Sequence, residues 1–317
     1  MSEISKRDLQ PKDHIKPEIL VTGVANKIGS SFVTDLAKTD KTILGLYLNE
    51  EPVNIESLIA VRSDYQNLPL LIAQMANINT VIHLEWDEEG RSLENQQGPS
   101  INNLVVIDNL IKAAEQSAVK RIIYLSVVGV DKNAKLASMQ ERYQAEVKLL
   151  NSRISEKIIV RVPIVYGSEN TNEPLFRTLL SLMKFPFLFP VLEKGVSIPI
   201  VHIDDVVKTL LNLVNIPMAD GCGIVEVKEY QEICFEELCK LTWNKFRRGK
   251  KIPITGVFAR MLFFLLSRKR KDCYLYLKEN LLNSENFVDT AILINNPLSS
   301  VLPNQLHSLR SELKAPL

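Results

Sequence analysis

Short apolar runs alternate along this chain with stretches in which apolar residues recur every three or four positions. The first run, Ile19-Leu20-Val21, leads through Thr22-Gly23 into a helical stretch that ends near Lys38. Further strands are predicted at Thr42–Leu48, Leu58–Arg62, Thr80–Leu84, Arg121–Leu125 and Lys157–Val162. Between them the 3.6-residue spacing predicts helices at Pro69–Ala76, Asn103–Ser117 and Gln140–Leu150, the last with Ala145, Leu149 and Leu150 on one side. A polar loop, Glu88–Pro99, separates the fourth strand from its helix. Short strands alternating with helices need crossover connections, so the expectation is an α/β protein with a doubly wound parallel sheet over 17–167.

Beyond Gly167 the alternation breaks. Leu175–Met183 reads as a helix, Phe185–Pro190 as a rigid aromatic connector and Ile198–Ile203 as a strand. A helix follows at Asp204–Val214, with Asp204 and Asp205 placed to suit its positive end. The expected organisation is a polar tail at 1–16, the sheet domain at 17–167 with 198–215 returning to it, and a smaller C-terminal region made of 168–197 and 216–317.

Composition narrows the class. Apolar residues make up 46% and charged residues 24% of the 317, which excludes a chain that is disordered throughout. Four cysteines without a CxxC, and no histidine at ligand spacing from them, predict reduced thiols and no metal site. The charged N-terminus lacks the apolar stretch of a signal peptide, and no apolar run is long enough to span a bilayer, so the expected location is the cytoplasm. Glycine is scarce, 12 of 317 residues, so a glycine-bearing turn in the first strand–helix unit stands out.

That turn is Val21-Thr22-Gly23-Val24-Ala25-Asn26-Lys27-Ile28-Gly29. Its place after the first strand is that of a dinucleotide-binding loop, where glycines give a tight bend, close approach of backbone to pyrophosphate, and close helix packing. The pattern TGxxGxxG is met at Thr22, Gly23 and Gly29, with Asn26 at the middle position. Other segments fall in order behind it: Thr80-Val-Ile-His-Leu84, Asn103 and Asn109 before Ala113-Ala114, Val119-Lys-Arg-Ile-Ile-Tyr-Leu-Ser126, Arg161-Val-Pro-Ile-Val-Tyr-Gly167 and Val201-His-Ile-Asp-Asp-Val206. With these the chain resembles the extended and atypical branches of the short-chain dehydrogenase/reductase superfamily. These are proteins like the NAD-dependent epimerases and dehydratases, and the complex I 39 kDa subunit type is also similar. The resemblance implies a Rossmann-type domain with a smaller C-terminal substrate-type domain. It implies NAD or NADP at Thr22, Gly23, Asn26, Ile28, Gly29, Asp64, Leu84 and Asn103, and substrate contacts at Tyr166 and His202. NAD is favoured, because the second strand ends in Asn49-Glu50 with no arginine to take a 2′-phosphate.

Four positions depart from the family pattern. Asn26 adds a side chain where backbone should meet phosphate, in a turn that its tolerance of left-handed backbone can preserve. Glu85 stands where a small residue follows the fourth strand, and would bring a carboxylate near the cofactor's phosphates. The Tyr-xxx-Lys pair falls on Ser138 and Arg142; Tyr143 and Lys148 are five apart, so they do not share a helix face as residues four apart do. Val127 and Val128 replace the hydroxyl residue expected after Ser126. The remaining catalytic candidates are Ser126, Tyr143 and Lys148. Of the isolated residues, His83 reads as a core histidine, His202 as a tie between strand and helix, Tyr166 as packing or cleft wall, and Glu146 as a helix-surface or salt-bridge residue.

The net charge of +1 is a cancellation. Ten basic residues and no acid lie between Lys245 and Lys271, leaving 28 basic against 37 acidic residues elsewhere. Two basic clusters flank the largely apolar run Val257–Leu266, which itself holds Arg260, a pattern that suits a core helix with solvated ends, an interfacial helix on an anionic membrane, or a face for an acidic protein. No nucleic-acid-binding module accompanies it. Two functions follow: an NAD(P)-binding protein resembling nucleotide-sugar epimerases and dehydratases with degenerate catalytic residues, acting on a nucleotide-linked or other small molecule, or a non-catalytic scaffold or assembly factor of that fold, peripheral to a membrane in one version.

Overall fold

The computed structural model describes residues 16–86, 102–134, 137–167, 200–216 and 221–227, with short segments between 188 and 255. The predicted helix 175–183, the loop 88–99 and the basic segment 245–271 lie outside the described residues, apart from a strand at its 252–255.

The chain runs β1 (Ile19–Thr22), α1 (Lys27–Leu36), β2 (Ile43–Tyr47), β3 (Leu58–Arg62), α2 (Leu68–Gln74), β4 (Thr80–His83), α3 (Asn103–Gln116), β5 (Arg121–Val127), α4 (Ala137–Leu150) and β6 (Glu156–Val162). Then come β7 (Ile164–Tyr166), β8 (Leu188–Val191), β9 (Ser197–Ile198), β10 (Ile200–His202), α5 (Ile203–Asn215), β11 (Cys222–Glu226), β12 (Ile233–Cys234) and β13 (Ile252–Thr255). Seven strands form one sheet in the order β11-β6-β5-β4-β1-β2-β3. Every pairing in it is parallel. The order reverses between β1 and β4, and in such sheets ligands bind beyond the strand ends at that switch point.

The period of two along each strand explains the layers. Ile19 and Val21, Ile82, Ile123, Ile158 and Val160 point to one face, covered by Phe32, Val33 and Leu36 of α1 and by Val206, Leu210 and Leu213 of α5. Leu20, Leu44, Val81, Ile122 and Ile159 point to the other, covered by Leu71 of α2, Val106 and Leu110 of α3, and Ala145 and Leu149 of α4. The edge strand β3 is less protected, with Ile59 46% exposed.

Helix α5 is fixed at both ends by groups from elsewhere. His202 is its N-cap, and Nδ1 accepts from the Asp204 amide at 3.2 Å. Arg121 of β5 donates through Nη1 to the carbonyls of Leu213 and Val214 at 2.8 and 3.0 Å, and through Nε to Glu156 at 2.6 Å. Those two carbonyls belong to the unsatisfied set at a helix C-terminus, and a buried cation there also suits the helix dipole.

Several boundaries differ from the sequence reading. The seventh sheet strand, β11, comes from the stretch 216–317 assigned to the C-terminal region; its five residues, CGIVE, are too few to show a period, and its register beside β6 is a long-range property. Helix α4 begins at Ala137, three residues before the predicted start. The predicted strand Ile198–Ile203 is divided between β9, which ends at Ile198, and β10, which runs Ile200–His202, and Ile203 already belongs to α5. Residues 188–190, read as part of a connector, lie in β8, which pairs in parallel with β13. Strands β7 and β10 pair as a separate parallel ladder that sets Tyr166 beside His202.

Candidate functional site

The ends of β1, β4 and β5 converge at the switch point. Gly23 follows β1 with φ +72°, a backbone state that glycine adopts without strain. Its amide donates to the Leu46 carbonyl at 2.9 Å and, at 3.4 Å, to the Tyr65 hydroxyl. Tyr65, 1% exposed, in turn donates to Leu46 O at 3.1 Å. Burial, and after it the charge of Glu85, pushes ionisation of Tyr65 well above the usual tyrosine range. Gly29 is required for packing: a Cβ there would lie 2.0 Å from the Gly23 carbonyl oxygen. The tight bend and the close helix packing of a dinucleotide turn are therefore both present.

The middle of the turn is different. Asn26 has φ −74° and ψ 166°, ordinary extended backbone, and not the left-handed state that its residue type allows. It is the N-cap of α1. Its Oδ1 accepts from the Gly29 amide at 2.8 Å, and its Nδ2 donates to the Leu84 carbonyl at 2.8 Å. One side-chain amide thus joins the start of α1 to the end of β4. The Glu85 carboxylate lies against the same bend. A methyl group built on Gly23 would meet Asn26 Nδ2 at 2.6 Å and both Glu85 N and Glu85 Oε2 at 3.0 Å.

Of the other predicted cofactor residues, Thr22 and Leu84 join the turn, while Ile28, Asp64 and Asn103 are engaged elsewhere. Thr22 is wholly buried, with Oγ1 2.7 Å from His83 Nδ1 and accepting the Leu84 amide at 3.3 Å. Ile28 packs on the core. Asp64 is exposed and accepts the Gln66 amide at 2.9 Å. Leu84 is buried, and Asn103 is buried at the first position of α3. His83 is a core histidine, as expected. Its ring stacks on Tyr124, and burial, with the nearby Arg142 charge second, lowers its pKa to about 3, so the ring is neutral.

Helix α4 does not present a tyrosine–lysine pair. Arg142, at the expected lysine position, is buried with its guanidinium 4.3 Å from the centroid of the Trp86 ring. Trp86 was not singled out in the sequence. It follows Glu85 directly, and two large side chains in succession after the fourth strand were the signal available. Tyr143 packs with Val130 and Met139, while Lys148 Nζ is held by Asp108 of α3 at 2.7 and 2.9 Å. Ser126 is fully buried and donates to Glu146 Oε1 at 2.6 Å. Glu146 is a salt-bridge residue, but an interior one rather than a surface one. It is 2% exposed, and its carboxylate receives Arg161 Nε at 3.1 Å and Nη2 at 2.7 Å. The three catalytic candidates thus point to three separate places.

Tyr166 and His202 do meet, edge to face with ring centroids 5.1 Å apart, and both are buried. Gly167, at φ +101°, leaves room for the imidazole; a Cβ there would stand 2.0 Å from His202 Nε2. His202 is the strand-to-helix tie that was expected. Among the described residues no cluster of three metal-ligating side chains occurs, and no helix is long and apolar enough to cross a membrane.

A dinucleotide's pyrophosphate is received by turn amides and the positive end of the first helix. Here the Gly29 amide is already bonded by Asn26, and a carboxylate rests on the bend. Each phosphate charge brought within about 4 Å of that carboxylate costs roughly 4 kcal/mol at an effective dielectric near 20. The side chains present, in this arrangement, do not fit a diphosphate.

A search of curated proteins finds no match. Solved structures do match in fold. A nucleoside-diphosphate-sugar epimerase from Staphylococcus aureus superposes with TM-score 0.70 at 18% identity, over 94% of this chain and 100% of that one. A double mutant of dTDP-glucose 4,6-dehydratase from Streptomyces venezuelae, with NAD bound, gives 0.59 at 17% over 76% and 85%. UDP-glucose 4-epimerase from Thermotoga maritima, with UDP-glucose, gives 0.56 at 17% over 74% and 85%. Residues 19–144, from β1 into α4, match the model of the NAD dependent epimerase/dehydratase family.

Proposed function

We propose that this chain is a non-catalytic member of the epimerase/dehydratase fold, working as a binding or assembly scaffold. The observation that carries the reading is the fate of α4. Hydride-linked chemistry of the family kind uses a tyrosine as general acid/base, its pKa lowered by a lysine on the same helix face. Ser138 and Arg142 stand at those positions, and Arg142 is committed to Trp86. Tyr143 and Lys148 do not replace them, since Lys148 is paired with Asp108 and Tyr143 packs against Met139.

Relatives of the fold hold NAD and nucleotide sugars. For this chain, Tyr166 and His202 remain the proposed contacts for a nucleotide-linked partner, and the basic segment 245–271 a proposed face for an anionic membrane or an acidic protein. The test is turnover. Purified protein is incubated with NAD or NADP and a panel of UDP- and dTDP-sugars, following nicotinamide absorbance and sugar products. No turnover is expected. Turnover that disappears in Tyr143→Phe or Lys148→Met would overturn the reading.

A further inference from the structure

We propose that the turn of this protein is self-liganded: Asn26, with Glu85, takes the place of a dinucleotide, so the site is ordered and closed without cofactor. This concerns binding alone. An enzyme that lost its tyrosine–lysine pair could still hold NAD, so the inference and the scaffold reading fail separately.

Five polar groups of the turn, which would otherwise be open to a dinucleotide, are satisfied from within. The Gly29 amide, one of the unpaired donors at the start of α1, is taken by Asn26 Oδ1 at 2.8 Å. The Leu84 carbonyl is taken by Asn26 Nδ2 at 2.8 Å, across 58 residues of sequence. The Leu84 amide goes to Thr22 Oγ1 at 3.3 Å, and the Gly23 amide to Leu46 O at 2.9 Å, with the Tyr65 hydroxyl as second acceptor. The amide of Asn26 itself donates to the Gly23 carbonyl at 3.1 Å. Over this closed loop lies the Glu85 carboxylate, of the same charge sign as the ligand it excludes. Glycine at residue 26 would remove both Asn26 side-chain bonds and clear the space over Gly23; alanine at residue 85 would remove the charge.

Two consequences separate this arrangement from an open turn. The wild-type chain does not gain stability from dinucleotide. Opening the turn reverses the relation, lowering stability without ligand and making it depend on ligand. The experiment uses the full-length chain, with melting temperature and calorimetric titration read together against NAD, NADH, NADP and NADPH up to a few millimolar. The wild type is expected to show no saturable heat and no shift. Asn26→Gly should melt about 2–3 °C lower without cofactor, chiefly because the Leu84 carbonyl loses its Asn26 partner, glycine itself being a tolerable cap. The double variant Asn26→Gly with Glu85→Ala should bind at least one dinucleotide saturably and recover about 5 °C at a concentration a hundredfold above its Kd. If that variant does not fold, Asn26→Ser with Glu85→Ala decides by the same criterion, because serine still caps α1 but is too short to reach Leu84. Saturable wild-type binding below millimolar Kd overturns the proposal. So does a folded double variant that gains no binding.

Discussion

The buried contact between Glu146 and Arg161 offers the sharpest test of how α4 is held to the sheet. Both side chains are almost fully enclosed, 2% and 5% exposed, and meet through two hydrogen bonds of 3.1 and 2.7 Å. Ser126 supplies a third to the same carboxylate at 2.6 Å. Glu146→Gln keeps the shape but sets an amide N–H₂ among guanidinium donors, leaving a buried cation short of its counter-charge. Breaking one side of a buried pair costs about 3–5 kcal/mol. Glu226, 3.7 Å from Arg161 Nη1 and partly exposed, remains as a second partner. We therefore expect the lower end, about 3 kcal/mol. Arg161→Met should cost a similar amount by stranding the carboxylate. The double variant Glu146→Gln with Arg161→Met removes both charges and leaves one buried amide N–H₂ short of a partner, about 1–3 kcal/mol, and should be more stable than the sum of the singles predicts by at least about 3 kcal/mol. The assay is urea unfolding of the four proteins, read as midpoint shifts at constant slope. Single losses under about 1 kcal/mol, or additive effects, would refute the argument that the pair is desolvated and coupled.

Other expectations follow from the same geometry. His83 titrates near 6.5 when unfolded and near 3 when folded, so the unfolded chain binds the extra proton between those values. Its contribution is present above pH 6.5 and is lost as pH falls toward 3, by about 1.4 kcal/mol per unit; His83→Gln should flatten that limb of an acid-unfolding curve, and an unchanged limb would contradict the assignment. Gly29→Ala forces a Cβ to within 2.0 Å of the Gly23 carbonyl oxygen and should cost about 3 kcal/mol or more in chemical unfolding. Tyr65→Phe should cost only about 1 kcal/mol by the same assay, since the Gly23 amide keeps its bond to Leu46 O; a larger loss would mean that the hydroxyl is the dominant partner.

The strands from β1 to β6 were legible because each is an apolar run bounded by polar or turn residues, and a parallel sheet buried on both faces demands such runs. The acidic start of α5 was legible for a local reason too, since Asp204 and Asp205 are adjacent in sequence to the helix they favour. What could not be read were facts of direction and distance. The spacing of Tyr143 and Lys148 shows that they diverge, but not that Lys148 ends on Asp108. Glu146 looks like a surface residue in a helix of mixed polarity; only the placement of Ser126 and Arg161 beneath it makes it interior. Asn26 was legible as an obstacle in the turn, whereas its second bond, to Leu84, depends on a strand 58 residues away. Trp86 was not legible because its partner, Arg142, lies far along the chain on α4, and no local pattern joins the two.

The double anchoring of α5 bears on how the molecule opens. Its first turn is held by His202, and its last carbonyls by Arg121, a residue of a central sheet strand. Neither end can fray without breaking a contact made by another element, so the helix and the middle of the sheet belong to one cooperative unit. Amide protons in the middle of α5 are therefore expected to exchange only with opening of the whole domain, and those of β3, on its exposed edge, through local excursions that leave the rest of the sheet intact; native-state hydrogen exchange would check both.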